Sequence, residues 1–350
     1  MLFEEHAAKT LLAAAGITVP TSQLVSTASE AVDAVRRIGT CVIKAQVPTG
    51  KRGKSGGIVT VDQSSAVHDV ADQLLGMDIA GYRANTLLVE ARVSVATELY
   101  TAIVNDQRTQ GPLLLFSSRG GIDIEETIEA YPDDLARLPI DIRKGIDNAS
   151  LEALVTPSVP AAALAPVCDA LQQLYQAYVD NDAELLEINP LAITDDNAVV
   201  ALDCKFTLDD SALVRQTELN RKGRPEPLTA LEVRGQSLGL RFIEFDGSVG
   251  VLANGAGLTM TTMDAVRHYG GQPANFLEIG GEAYTLGEAA LELVLSHPNV
   301  KSLLVNLCGA FARTDVMTDG IVTAWQARKP TLPVFFTIHG TGEDAAVAMV

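Results

Sequence analysis

Residues 184–205 read ELLEINPLAITDDNAVVALDCK: an apolar run, the polar segment TDDN and a second apolar run. This pattern predicts two antiparallel strands joined by a turn at 194–197. Glu187 and Asn189 are two residues apart, so in a strand both side chains point to the same face. The two arms have similar lengths, which returns Asp203 to a position opposite Asn189. The stretch therefore predicts a hairpin that brings three oxygen-bearing side chains together.

Such a hairpin has the chemistry of a site for a hard cation. Mg²⁺ binds a few rigidly placed oxygens and completes its octahedron with water and phosphate. Glu187, Asn189 and Asp203 would supply two carboxylates and one amide oxygen, which predicts a Mg²⁺ site. The same residues also suit a surface hairpin with ordinary turn acids, and the spacing alone leaves both interpretations open.

A basic, glycine-rich loop lies between two apolar segments near the amino terminus. The segment 41–47 reads CVIKAQV, the loop 48–57 reads PTGKRGKSGG, and the segment 58–61 reads IVTV. Glycines let a backbone close on an oxyanion, while Lys and Arg side chains supply charge-assisted hydrogen bonds. The loop therefore predicts a lid over phosphate groups. A mobile basic hairpin loop with no ligand is the alternative.

From residue 238 onward the chain alternates between strand and helix patterns. Strands are predicted at 249–253, 274–277, 302–306 and 334–338, and helices at 258–269, 285–296 and 315–328. This alternation predicts a doubly wound α/β domain, in which ligands bind beyond the carboxyl ends of the strands. The polar segment 218–232 contains two prolines and predicts a linker, so we expect domains at 1–227 and 238–350.

Composition excludes several classes of protein. The 350 residues are 47% apolar and 20% charged, which suits a globular chain of more than one domain. The net charge of −18 argues against nucleic acid and anionic membranes as partners. No apolar run reaches the ~20 residues of a membrane span, and no signal peptide is visible. Four cysteines without CxxC spacing suggest reduced thiols, and hence the cytoplasm.

Several of these motifs together resemble the β subunits of succinate–CoA ligase. The resemblance rests on EINPL with LDCK in the hairpin, on VIKAQV with RGKSGG in the basic loop, and on SVGVLANGAG with PANFLEIGG in the second half. It extends over nearly the whole chain. It implies an α/β protein in which an ATP-grasp domain is followed by a doubly wound, flavodoxin- or Rossmann-like CoA-ligase domain.

The resemblance also implies roles for individual residues. Lys44 and Arg52 would be the catalytic cations, with Lys44 on the ATP phosphates. Asn189 and Asp203 would bind Mg²⁺, beside Glu187. The remaining implied contacts are Lys51, Arg52 and Gly53 over the nucleotide, Glu90 and Glu98 in the nucleotide cleft, and Asn254, Gly309, Ala310, Phe311 and Ala312 on the carboxylate substrate.

The implied activity is the ADP-forming joining of a small carboxylic acid to CoA. MgATP would activate the acid, and an acyl phosphate and a phosphohistidine would be the intermediates. In this family the histidine and most of the CoA site belong to an α-type partner subunit, so the resemblance also implies a heteromer. CoA and ATP would be co-substrates.

The sequence departs from the family pattern at a few positions. Arg119 stands where succinate enzymes usually carry Glu, and the segments 309–312 and 339–342 differ from the family's loops. Since substrate choice follows pocket shape, Arg119 and Phe311 favour an alternative to succinate, namely malate or a larger carboxylate. A non-catalytic, nucleotide-binding paralogue is a further alternative, against which the retained Lys44, Asn189 and Asp203 argue.

Overall fold

The computed structural model describes residues 1–50, 52–62, 64–122, 124, 131–280 and 285–350. The chain divides into two compact units, Met1–Glu226 and Pro227–Val350. The first unit is a mixed α/β structure built on two antiparallel sheets, and the second contains one mainly parallel sheet. The predicted α/β class is confirmed.

The first sheet of the amino-terminal unit carries the basic loop. Its four strands have the order β1-β6-β2-β3, and the loop 48–57 connects β2 to β3. The elements are α1 (Glu5–Ala14), β1 (Ser22–Val25), α2 (Ala28–Ile38), β2 (Cys41–Ala45), β3 (Ile58–Val61), α3 (Val67–Leu74), β4 (Asp78–Ile79), β5 (Tyr82–Arg83) and β6 (Leu87–Ala91). Helices α2 and α3 pack together and supply alanine, valine and leucine to the core of this sheet.

The second sheet of this unit carries the predicted hairpin. Its order is β11-β10-β7-β8-β9, and β12 also pairs with β10. The elements are β7 (Thr97–Asp106), β8 (Gly111–Ser117), β9 (Ala136–Pro139), α4 (Asn148–Val155), α5 (Leu164–Asp180), β10 (Ala183–Ile193), β11 (Val199–Ala201), β12 (Lys205–Leu208) and α6 (Thr217–Lys222). Helix α5 packs on β10 through Val167, Leu171 and Leu174, which recur at helical spacing and are fully buried.

The register of the hairpin fixes the positions of its polar side chains. Leu191 lies opposite Ala201 in β11, and Glu187 lies opposite Lys205 in β12. Asn189 and Asp203 therefore fall opposite each other between the two paired segments. The hairpin and its register are as the alternation of apolar and polar residues predicted.

The second unit has the strand order β13-β15-β14-β16-β17. Strands β14, β15, β16 and β17 pair in parallel, and only β13 is antiparallel. The elements are α7 (Ala230–Ser237), β13 (Arg241–Glu244), β14 (Val249–Ala253), α8 (Ala256–His268), β15 (Asn275–Glu278), α9 (Gly287–Leu295), β16 (Ser302–Gly309), α10 (Thr314–Arg328), β17 (Val334–Gly340) and α11 (Glu343–Met349). The carboxyl ends of the parallel strands thus share one edge, as predicted.

The segment 218–232, which the sequence predicts as a linker, is helical at both ends and contains the boundary between the two units at Glu226 and Pro227. Helix α6 extends to Lys222, and α7 begins with a capping box in which Thr229 and Glu232 exchange hydrogen bonds. Helix α7 packs on β13, but among residues 230–237 Gly235 is its one buried residue. Because most of its side chains face solvent, its composition is as polar as that of a linker. Residues 223–229, between α6 and α7, are in no helix and include the unit boundary, so only the outer parts of the predicted linker differ from the prediction.

Candidate functional site

A cavity of about 720 Å³ in the amino-terminal unit collects most of the residues that the sequence singled out. Its walls come from β2, the basic loop, β6, the start of β7 and the hairpin of β10, β11 and β12. The predicted residues on these walls are Lys44, Arg52, Gly53, Glu90, Glu98, Glu187, Asn189 and Asp203. Lys51 lies outside the described residues.

Lys44 is buried on β2 and is held by three oxygens. Its Nζ donates to Glu5 Oε1 at 2.8 Å, to Glu90 Oε1 at 2.7 Å and to the carbonyl oxygen of Leu202 at 2.6 Å. The side chain is therefore fixed in one position beside the cavity. These three oxygens engage all three N–H donors of the ammonium, so a phosphate oxygen would take the place of one of them.

Glu5 and Lys9 of α1 take part in this arrangement, although no motif of the sequence marks them. They lie one helical turn apart, and Lys9 Nζ is 2.8 Å from Glu5 Oε1. Lys9 also donates to the carbonyl oxygen of Leu202 at 2.8 Å and to the carboxylate of Glu90. Both side chains are buried, 1% and 5% exposed. The four-residue spacing of this acid and this base on a helix that faces a core was the sequence feature that could have identified them.

Arg52 is folded inward by the glycine-rich loop. The amide of Gly57 donates to the carbonyl oxygen of Arg52 at 2.8 Å, and a Cβ on Gly57 would lie 2.7 Å from Ile79 Cδ1. The guanidinium donates from Nη1 to Glu5 Oε2 at 2.7 Å and from Nη2 to Asp203 Oδ1 and Oδ2 at 2.6 and 2.7 Å. A side chain at position 57 would require Ile79 to shift, so the loop favours glycine there.

These contacts form an ion network of three carboxylates and three cations, namely Glu5, Glu90 and Asp203 with Lys9, Lys44 and Arg52. Burial raises the pKa of Glu5, but Arg52, Lys44 and Lys9 outweigh it and hold that pKa well below the ordinary value. Burial lowers the pKa of Lys44, but Glu5, Glu90 and Asp203 outweigh it and raise that pKa. Glu5 and Lys44 are therefore charged at neutral pH, and the network is balanced.

The predicted metal ligands Asn189 and Asp203 face the same cavity. Asn189 Oδ1 accepts from the amide of Gly121 at 2.7 Å, and its Nδ2 donates to the carbonyl oxygen of Ile122 at 3.0 Å. Among the described residues, no three His, Cys, Asp or Glu side chains are grouped to hold a metal. One carboxylate and one amide oxygen fit Mg²⁺, which completes its shell with water and phosphate, better than a cation that needs a full protein cage.

Glu187 and Glu98 lie on the wall beside these ligands. The Tyr100 hydroxyl is 3.3 Å from Glu187 Oε2, and burial and the charge of Glu187 raise the pKa of Tyr100, so the phenol stays protonated as a donor. A Cβ on Gly121 would lie 1.9 Å from Glu98 Oε2, and Gly121 has φ +73°. A side chain at position 121 would be strained by the left-handed backbone and would require the Glu98 carboxylate to move, so the position favours glycine.

In the second unit, the predicted substrate residues lie at the carboxyl edge of the sheet. Asn254 Nδ2 donates to the carbonyl oxygen of Cys308 at 2.8 Å, and its Oδ1 accepts from the amide of Cys308 at 2.7 Å. The side-chain amide of Asn254 therefore links the end of β14 to the backbone of Cys308 near the end of β16. Phe311 follows β16 and is 95% exposed in the single chain. The substrate roles of Asn254, Gly309, Ala310, Phe311 and Ala312 remain predictions.

The edge of this sheet depends on close approach of two glycines. Gly340 has φ +92°, and a Cβ there would lie 2.1 Å from the carbonyl oxygen of Gly309. We expect Gly340→Ala to lower the free energy of unfolding of the second unit by about 3 kcal/mol, from left-handed strain and displaced backbone together. Gly270→Ala is the matched control, since Gly270 has φ +84° and nothing within 4 Å. Denaturant titrations should show a loss of only ~1–2 kcal/mol for the control; equal losses would contradict the steric argument.

Two family models match the chain. The model described as ATP-grasp domain matches residues 2–193, and the one described as CoA-ligase matches residues 252–349. Fold and cleft thus define a protein in which an ATP-grasp domain precedes a CoA-ligase domain. None of the helices in the described part of the chain has the length and apolarity that a membrane crossing needs.

Full-length relatives give the particular family. The chain is 37% identical over 361 residues to the ADP-forming succinate–CoA ligase subunit beta of Paraburkholderia xenovorans, covering 100% of this chain and 93% of the relative. It is 39% identical over 354 residues to the protein of the same name from Natronomonas pharaonis, with the same coverage. The chain belongs to the family of succinate–CoA ligase β subunits, which confirms the resemblance seen in its motifs.

Solved structures agree on the fold. The ATP citrate lyase from Methanothrix soehngenii, solved with citrate and coenzyme A, matches 99% of this chain and 91% of its own chain with a TM-score of 0.63. The ATP citrate lyase of Methanosaeta concilii gives a TM-score of 0.64. The sequence identities are 20% and 19%, so these structures support the architecture alone.

Proposed function

We propose that this chain is the β subunit of an ADP-forming acid–CoA ligase of the succinate–CoA ligase type. It would use MgATP to activate a small carboxylate through an acyl phosphate and a phosphohistidine, and the product would be an acyl-CoA. The observation that carries the proposal is the meeting of Lys44 and Arg52 with Asn189 and Asp203 in one cavity. Family membership over the full chain supports the same activity.

The residues of the cavity suit phosphoryl transfer, in which positioning and neutralisation of charge do most of the work. Glu5 and Glu90 hold the Lys44 ammonium in place, where it can neutralise negative charge on the phosphate oxygens. Arg52 lies on the loop above it and presents a planar fork that matches phosphate geometry. Asn189 and Asp203 would hold Mg²⁺, which would neutralise further phosphate charge when bound.

The proposal includes an α-type partner subunit. Among the described residues that line the cavity there is no histidine, so the phosphohistidine would belong to the partner, together with most of the CoA site. We also propose a cytoplasmic location, which suits four cysteines that all remain free thiols.

The test is reconstitution of the full chain with the α-type subunit that copurifies from its own cell. After addition of MgATP labelled in the γ-phosphate, we expect acid-labile label on a histidine of the partner. Succinate, malate and larger dicarboxylates, each with CoA, are then added, and the acid is identified as the one that discharges the label as inorganic phosphate and forms an acyl-CoA. Nucleotide binding without label on any partner and without ADP release would contradict the proposal and favour the non-catalytic paralogue.

The choice of acid is a separate part of the proposal. Arg119, which suggested an acid other than succinate, donates to Asp134 at 2.5 Å and lies 4.1 Å from the centre of the Tyr131 ring. These contacts occupy Arg119 and give no support to a role in acid recognition. We propose succinate, and malate is the competing substrate that the acid series tests first.

A further inference from the structure

Asp203 is occupied by Arg52 in the arrangement described above. Both carboxylate oxygens accept from Arg52 Nη2, at 2.6 and 2.7 Å, and Oδ1 also accepts from the amide of Cys204 at 2.7 Å. The arginine side chain is 5% exposed and that of Asp203 is 29% exposed. The oxygens that would bind Mg²⁺ are therefore the oxygens that the guanidinium holds.

A free cation and the guanidinium compete for these oxygens. A metal ion that arrives alone must displace Arg52, which would then remain buried with Glu5 Oε2 as its single carboxylate partner. A buried charge that loses its partner is costly, because its desolvation is no longer compensated. A nucleotide phosphate changes this balance, since it offers Arg52 a second anion while the metal takes Asp203.

We propose that Arg52 makes this site select the metal–nucleotide complex over the free divalent cation. The inference rests on the proposed function and deepens it. The Arg52–Asp203 pair blocks the metal ligand until a phosphate group draws the guanidinium away. Since coupling between two ligands is reciprocal, the nucleotide should tighten metal binding by the same factor as the metal tightens nucleotide binding.

The charges of the ion network point the same way. Glu5, Glu90 and Asp203 balance Lys9, Lys44 and Arg52, so a free divalent cation would add two positive charges that no member of this network neutralises. A nucleotide that arrives with its metal brings charges of both signs. Each network residue can then exchange one partner for another of the same sign.

The test is a direct measurement of Mn²⁺ binding to the full chain by electron paramagnetic resonance, without nucleotide. We expect Arg52→Ala to bind free Mn²⁺ about tenfold more tightly than wild type or better, because it releases a charge-assisted bond worth ~1.4 kcal/mol or more. The affinity of Arg52→Lys for free Mn²⁺ should lie between those of the wild type and Arg52→Ala, because an ammonium keeps the charge but cannot make the planar fork. The lysine variant also preserves the charge of the network should the alanine variant fail to fold.

Two controls make the result specific. Arg92→Ala removes a cation from the wall of the same cavity, where Arg92 pairs with Asp62 at 3.1 Å, and should change Mn²⁺ affinity by less than about twofold. Adding Asp203→Asn to Arg52→Ala should abolish the gain in affinity for free Mn²⁺. This double variant separates Asp203 from the other acids of a chain with net charge −18.

The outcomes separate this inference from the proposed function. One outcome is that the wild type binds Mn²⁺ together with ADP, but the Arg52 variants bind free Mn²⁺ no more tightly than the wild type does. That result would overturn the role of Arg52 and leave the proposed function standing. Wild type that binds no Mn²⁺ even with ADP would instead count against the proposed function. Weaker Mn²⁺ binding by a folded Arg52→Lys would also overturn the inference.

Discussion

Lys44→Ala is expected to slow phosphoryl transfer to the partner histidine by about 10²–10³-fold, the usual effect of losing one fixed donor to transition-state charge. The nucleotide should also bind more weakly, because Lys44 would contact the phosphates before and during transfer. Single-turnover labelling with γ-labelled ATP measures the rate, and calorimetry with ADP measures the binding. The fold should survive, since Lys9 still pairs with Glu5 and Glu90.

Lys222→Ala is the matched control for this experiment. Lys222 is an exposed lysine of α6 in the same unit and does not line the cavity, so its loss removes one positive charge from the surrounding field without disturbing the ion network. We expect its effect on transfer to be small beside that of Lys44→Ala, because exposed charges are screened. Losses of similar size would mean that only net charge matters, and the argument from the position of Lys44 would fail.

Local patterns in the sequence were sufficient to predict much of the fold. In the hairpin, alternation assigns faces to Glu187 and Asn189, and the length of the arms sets the register with Asp203. In the second half, alternating strands and helices predict a parallel sheet, and the parallel sheet in turn predicts that the glycine-rich turns share one edge. These inferences depend on neighbours in the chain, which a sequence displays directly.

The ion network could not be predicted in this way. Glu5 contacts Lys44 and Arg52, which lie in other elements of the fold, and Arg52 contacts Asp203, 151 residues away in the chain. Motifs identified Lys44 and Arg52 as cations for phosphate but did not show what neutralises them beforehand. The same limit applies to Asn254, whose amide ties two strand ends through the backbone of Cys308. Such pairings follow from tertiary packing, which overrides local pattern.

Glu5→Gln is expected to lower the free energy of unfolding of the first unit at neutral pH by about 3–5 kcal/mol, as found when one partner of a buried ion pair is removed. Glutamine keeps the shape of Glu5 but not its charge. Lys44, Lys9 and Arg52 would then share the carboxylates of Glu90 and Asp203. Urea titrations followed by circular dichroism measure this loss.

The pH dependence distinguishes lost charge from lost packing. The pKa of Glu5 lies below its ordinary value of 4.5 in the folded chain. Its stabilisation is therefore complete above about pH 4.5 and is lost as the pH falls through the folded pKa. The gap in stability between wild type and Glu5→Gln should accordingly narrow as the pH is lowered from 4.5.

Glu30→Gln provides the comparison, because the pKa of Glu30 is also lowered, by hydrogen bonds from Ser26, but its side chain is exposed on α2. This variant should change stability far less at every pH, since water screens and solvates an exposed carboxylate. If the difference in stability between wild type and Glu5→Gln stays constant down to about pH 3, the effect of the substitution is due to packing. A narrowing gap would identify the charge of Glu5 as the element that holds Lys44 and Arg52 beside the cavity.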